Sequence, residues 1–245
     1  MQIAPPYGYT EVVPFLKTQK VRLLGAGEVP EFAQRGNAIP VSFTEFQPAS
    51  RDYPLVFTSG DGGKTFAVVA VLGVAAGENL YFEGGAWAPK VYVPAYARRY
   101  PFCMARVRVD KVERKDRLIC VEKSRLDDAA GEALFDAEGK PVEKWATLEK
   151  LLSEYEADLE RGRELCALLA DYGLLEAFTV QATPKGGGGP LQVTGMHRVA
   201  EKKLEELNAA QLKNLMRRGA LARIYMHLLS LSNFARLLER KTART

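Results

Sequence analysis

The sequence predicts a single α+β domain, with an antiparallel, β-rich N-terminal half and helices packed over it in the C-terminal half. Three observations carry this reading. Short apolar runs broken by Gly/Asp or charged clusters fill the first 140 residues. Apolar residues spaced three and four apart begin at Trp145. No linker-like stretch divides the 245 residues into two units. The organisation is an N-terminal extension (1–19), a β-rich part (20–140), a helical part with one strand pair (141–240) and a basic tail (241–245). With 47% hydrophobic and 26% charged residues, the composition excludes collagen-like, mucin-like and disulfide-scaffold classes.

In chain order, residues 55–57 and 65–72 flank the cluster Thr58-Ser59-Gly60-Asp61-Gly62-Gly63, which reads as a hairpin. The second run is continuously apolar and is expected as a central strand buried on both faces. Pro94 and Pro101 bound a short helix over 94–100, since proline is tolerated in a first helical turn. Residues 104–109 and 118–121 pair around a charged turn at 111–117. Trp145, Leu148, Leu152, Tyr155, Leu159, Gly162, Cys166 and Leu169 form one face of a long helix ended by Gly173. Glu149, Lys150, Glu154, Glu156, Asp158, Glu160, Arg161 and Arg163 fill its other faces. A strand pair, 177–182 and 191–199, surrounds the loop 186–189. Asn208 and Gln211 form a capping box, Gly219 ends that helix, and one last helix carries Leu221, Ile224, Tyr225, Leu228, Leu231 and Leu238.

The chemistry-bearing residues are few. Cys103, Cys120 and Cys166 are odd in number, widely spaced and set among apolar residues, so they read as free buried thiols. No zinc-type cysteine pair and no histidine template is present, so neither metal nor cofactor is expected. The N-terminus has no secretory pattern and no apolar run reaches membrane length, which together point to the cytoplasm. Gly60 to Thr65 ends in Gly-Lys-Thr, but a phosphate loop needs glycine where Thr58 stands and a helix where a Val-rich strand follows, so a hairpin turn is expected. His227 is expected as a core or helix-face histidine bonded to a carbonyl or side chain, because Ser230 on a regular helix is a poor nucleophile. Trp87 anchors a glycine-rich loop, and Asn79 is a turn residue. Arg98-Arg99-Tyr100-Pro101-Phe102, with Tyr96 close by, has two readings. The arginines grip a carboxylate or phosphate with tyrosine stacking, or one of them pairs with an internal acid such as Glu45 or Asp52.

Several segments resemble the bacterial SapC-like family. They are Asn37-Ala38-Ile39-Pro40-Val41, Tyr53-Pro54-Leu55-Val56-Phe57, Glu78-Asn79-Leu80-Tyr81, Tyr92-Val93-Pro94-Ala95-Tyr96 with Arg98 to Phe102, Gly131 to Asp136, Gly173-Leu174-Leu175-Glu176, and His227-Leu228 with Ser230-Leu231. The resemblance runs from about residue 20 to 238. The family takes its name from a surface-layer gene cluster, and the resemblance implies no catalytic residue or cofactor. The expectation is a cytoplasmic accessory protein that holds a peptide, a protein partner or a small anionic ligand near Arg98, Arg99, Tyr100, Tyr92 and Trp87. The alternatives are an enzyme joining His227, Arg98 and Glu45, and a surface-layer component or its export helper.

The net charge of +4 is unevenly placed: residues 198–245 hold 11 Lys/Arg and 4 Asp/Glu, so the body is mildly acidic and the C-terminal end basic. Aromatic residues do not interleave with these cations, so no nucleic-acid partner is expected, and the tail reads as a docking element for an acidic protein surface.

Overall fold

The computed structural model describes residues 3–25, 27–109, 112–182 and 191–244. The chain runs through β1 (Val12–Pro14), β2 (Lys20–Val21), α1 (Glu31–Arg35), β3 (Ala38–Pro40), α2 (Phe46–Ser50), β4 (Leu55–Thr58) and β5 (Ala67–Val71). Next come β6 (Phe82–Glu83), β7 (Ala86–Trp87), α3 (Ala95–Arg98), β8 (Phe102–Val109), β9 (Val112–Glu122), β10 (Glu132–Ala133) and the long α4 (Glu143–Asp171). It closes with β11 (Leu175–Ala182), β12 (Leu191–Val199), α5 (Glu201–Glu205), α6 (Ala209–Arg217), α7 (Ala220–Ser230) and α8 (Asn233–Ala243). The fold is α+β, as expected. Among the described residues no helix is long and apolar enough to cross a membrane.

Asp61 closes the first hairpin. Its carboxylate accepts from the Lys64 and Thr65 amides at 3.0 and 2.9 Å and from the Thr65 hydroxyl at 2.7 Å. These bonds hold the carboxyl down at about 2. The Gly-rich segment is therefore a self-satisfied turn between strands. β5 lies inside a five-stranded antiparallel sheet ordered β11-β12-β4-β5-β3, one strand in from the edge. The C-terminal strand pair joins this same sheet, since β12 pairs with β4 through Met196–Thr58 and His197–Phe57. A second sheet, β1-β9-β8, holds the other hairpin.

Three expectations change. β9 begins at Val112, opposite Val109, so residues 113–117 belong to a strand rather than to a turn. Each ladder step adds backbone hydrogen bonds that outweigh the charged composition. The single last helix is two, α7 and α8. Ser232 and Leu231 bond back three residues to Leu229 and Leu228, tightening the chain. Asn233 then fixes the new start by donating to the carbonyls of Ser50 and Tyr53 at 2.8 and 3.1 Å. Finally, Glu156 and Asp158 of α4 are buried. α4 packs against both β5 and β8, so it buries more than one stripe. The 186–189 loop lies outside the described residues.

The basic tail, expected to dock an acidic protein, folds back on its own chain. Lys241 meets Glu78 at 2.5 Å, Arg240 covers the Tyr81 ring at 4.6 Å, and Arg244 donates to the carbonyls of Asn79, Leu80 and Phe82.

Candidate functional site

Pro94 starts the one-turn helix α3, and consecutive residues on a helix diverge by about 100°. Arg98 and Arg99 therefore leave in different directions. Arg98 is exposed. It donates through Nε to the Val93 carbonyl at 2.9 Å and through Nη2 to the Tyr92 hydroxyl at 3.1 Å. That hydroxyl donates to Glu45 Oε1 at 2.8 Å. Glu45 is buried and also accepts from the amides of Ala95 and Ser42 at 2.6 and 2.9 Å. The anticipated link between an arginine and Glu45 thus runs through the Tyr92 hydroxyl. Burial, with the Glu45 charge beside it, pushes the Tyr92 phenol well up. The other anticipated acid, Asp52, accepts from the Tyr92 amide at 2.9 Å.

Arg99 turns inward and is 3% exposed. Its guanidinium stands over the Tyr96 and Tyr155 rings at 4.3 and 4.8 Å. Its Nη1 lies 3.6 Å from Glu156 Oε1, and Arg117 of β9 pairs with the other Glu156 oxygen. Two buried polar atoms here have no hydrogen-bond partner, Arg99 Nε and Tyr155 Oη. Burial raises the Tyr155 phenol far above its ordinary range, against the pull of Arg99, so it is a neutral hydroxyl. Arg99, Tyr155, Tyr96, Glu156, Arg117 and Arg163 line a cavity of about 570 Å³, with apolar walls from Pro40, Met104 and Leu159. Arg98 and Tyr100 instead line a separate open hollow of about 550 Å³ with Glu28, Glu143 and Lys144.

The remaining expected site residues lie elsewhere. Trp87 is buried and donates to the Tyr53 hydroxyl at 2.9 Å, and that hydroxyl donates to the Tyr92 carbonyl. Trp87 pins the Tyr92 segment and lines neither space. His227 is fully buried. Its Nδ1 lies 2.8 Å from the Leu55 carbonyl, and its Nε2 accepts from the Val199 amide at 3.1 Å. The proton therefore sits on Nδ1, and burial lowers the ring's pKa to about 4. With both nitrogens committed to backbone, His227 contacts neither Arg98 nor Glu45, and it braces β4 to β12. Ser230 extends the brace by accepting from the Leu55 amide at 2.9 Å and donating to the His227 carbonyl at 2.6 Å.

The three cysteines are free and buried. Burial pushes Cys103, Cys120 and Cys166 to about 12, 11 and 12, which makes them poor nucleophiles. Among the described residues, no group of three His, Cys, Asp or Glu side chains is arranged to hold a metal.

Tyr155, Glu156, Arg117 and Arg163 were not anticipated as site residues. A signal for two of them was present: Glu156 and Arg163 follow Leu152 and Leu159 by four positions, which are apolar-face spacings occupied by charges.

The SapC family model covers residues 20–237. No curated protein and no solved structure matches the chain.

Proposed function

Since the chain belongs to the SapC family, we propose that it is a binding protein that takes a small organic anion into the cavity beside Arg99 and Tyr155. The observation that carries this reading is the pair of unpartnered buried atoms, Arg99 Nε and Tyr155 Oη, on two residues that line one cavity. Leaving a buried polar group unpaired costs about 1–3 kcal/mol. A carboxylate or phosphate oxygen accepts from both groups and removes that cost. The lining favours the same charge, since it contains Arg99, Arg117 and Arg163 against the single acid Glu156. Pro40, Met104 and Leu159 suit an apolar body behind the anionic head. Three free cysteines favour a reducing compartment, the cytoplasm.

The test uses three probes that share a ring and differ in charge: benzoate, phenyl phosphate and benzylamine. Titration calorimetry should detect the anions and not the amine, and Arg99→Lys and Tyr155→Phe should each weaken anion binding by about tenfold. Binding of neither anion, or binding indifferent to both substitutions, refutes the reading.

A further inference from the structure

Helices α6 and α7 pack against each other and carry apolar side chains that the chain leaves uncovered. On α6, Leu212 and Met216 are 41% and 68% exposed; on α7, Tyr225 and Leu229 are 52% and 75% exposed. Each pair is four residues apart and so lies along one side of its helix. The core takes a different stripe, through Leu215 on α6 and Ile224 and His227 on α7. A second apolar stripe therefore faces water on two adjoining helices.

The two helices themselves carry cations and no acid: Lys213 and Arg217 on α6 and Arg223 on α7. From residue 207 to 238 the chain has five Lys/Arg and no Asp or Glu. Arg218 reaches Glu164 at 3.9 Å, Arg223 covers the Phe43 ring at 4.1 Å, and Arg236 donates to the Arg51 carbonyl at 2.9 Å. Among the described residues, Lys213 and Arg217 have no carboxylate partner. They too are four apart, each next in sequence to an exposed apolar residue. α6 thus bears an apolar stripe, Leu212 and Met216, beside a cationic one, Lys213 and Arg217.

We propose that this face docks an acidic amphipathic helix of another protein. Apolar side chains of that helix, spaced four apart, cover Leu212, Met216, Tyr225 and Leu229, and carboxylates along its flank meet Lys213 and Arg217. A second copy of this chain fits poorly, because a two-fold contact sets the same cations against one another. Recognition of an anionic bilayer by charge takes a cluster of about four to eight Lys/Arg, whereas this face offers Lys213 and Arg217. The proposal stands independently of the anion cavity.

The probe is a fluorescein-labelled helical peptide of about twenty residues, with leucines on one face and glutamates beside them, compared with the same peptide carrying lysines. Anisotropy with the full chain should show binding of the acidic peptide alone, weakened by salt. Met216→Glu should weaken it by about tenfold, and Arg217→Glu should shift preference towards the lysine peptide. Both positions are exposed, and circular dichroism confirms that each variant stays folded. Equal binding of the two peptides, binding of neither, or indifference to Met216→Glu overturns the proposal. So does flotation with phosphatidylglycerol vesicles that Met216→Glu abolishes, which assigns the face to lipid. A dimer in sedimentation velocity that the same substitution dissociates overturns it too, assigning the face to a second copy.

Discussion

The Arg99 guanidinium lies 3.6 Å from the Glu156 carboxylate, and both side chains are withdrawn from solvent. Glu156 also holds Arg117, so one carboxylate ties the end of α3 and strand β9 to the middle of α4. Replacing a single member of such a buried cluster leaves uncompensated charge, at a cost of about 3–5 kcal/mol. Glu156→Gln should therefore lower the free energy of urea unfolding by that amount. A loss no larger than that of an exposed pair, at most about 1 kcal/mol, would show that the cluster does not hold these elements together.

Tyr155 has the opposite expectation. Its hydroxyl is buried without a partner. Tyr155→Phe removes a group that is desolvated and unpaired while keeping the ring against Arg99. Stability should stay level or rise by up to about 1 kcal/mol, while anion binding weakens. A variant that is both less stable and unchanged in anion binding would assign the hydroxyl a structural role instead. Thermal melts with and without benzoate separate the two results.

These two residues also mark where the sequence stopped being legible. The Asp61 hairpin, the Asn208–Gln211 capping box and the long α4 were readable because each is set by residues close in sequence. The break between α7 and α8 was not, because it depends on Asn233 reaching the carbonyls of Ser50 and Tyr53, distant in the chain. The site divides in the same way. Arg99 stood out through its neighbours Tyr96 and Tyr100, and the alternative of pairing with an internal acid was sound in kind. The acid is Glu156, on a helix whose polar residues all looked solvent-facing, and the second arginine comes from a segment that looked like a turn. A cavity assembled from α3, α4 and β9 has no local signature. Helical geometry turns Arg98 outward onto Tyr92 and Arg99 inward.

Ser230 tests the brace between the last helices and the sheet. Its hydroxyl accepts from the Leu55 amide and donates to the His227 carbonyl, and it is fully buried. Ser230→Ala leaves a strand amide unpaired inside the protein, so it should cost about 1–3 kcal/mol. Ser232→Ala is the control, because among the described residues its exposed hydroxyl bonds to the Leu229 carbonyl alone, where water substitutes for it. Chemical denaturation of both should rank Ser230→Ala well below Ser232→Ala. Equal stabilities would remove Ser230 from the brace.

His227 makes this brace sensitive to acid. Burial lowers its pKa from 6.5 to about 4, against the opposing pull of the Leu55 carbonyl, which favours the protonated ring. Between those two values the unfolded chain binds a proton at this site that the folded chain does not. Its contribution to stability is therefore complete above pH 6.5 and declines as the pH falls towards 4. The decline should amount to roughly 2 kcal/mol between pH 7 and 5. His227→Gln, which offers an amide oxygen to the Val199 N–H, should be less stable at pH 7 yet lose little further stability across that interval. Urea midpoints for both proteins at half-unit steps of pH check this. Parallel curves would mean that the buried imidazole is not the group that titrates.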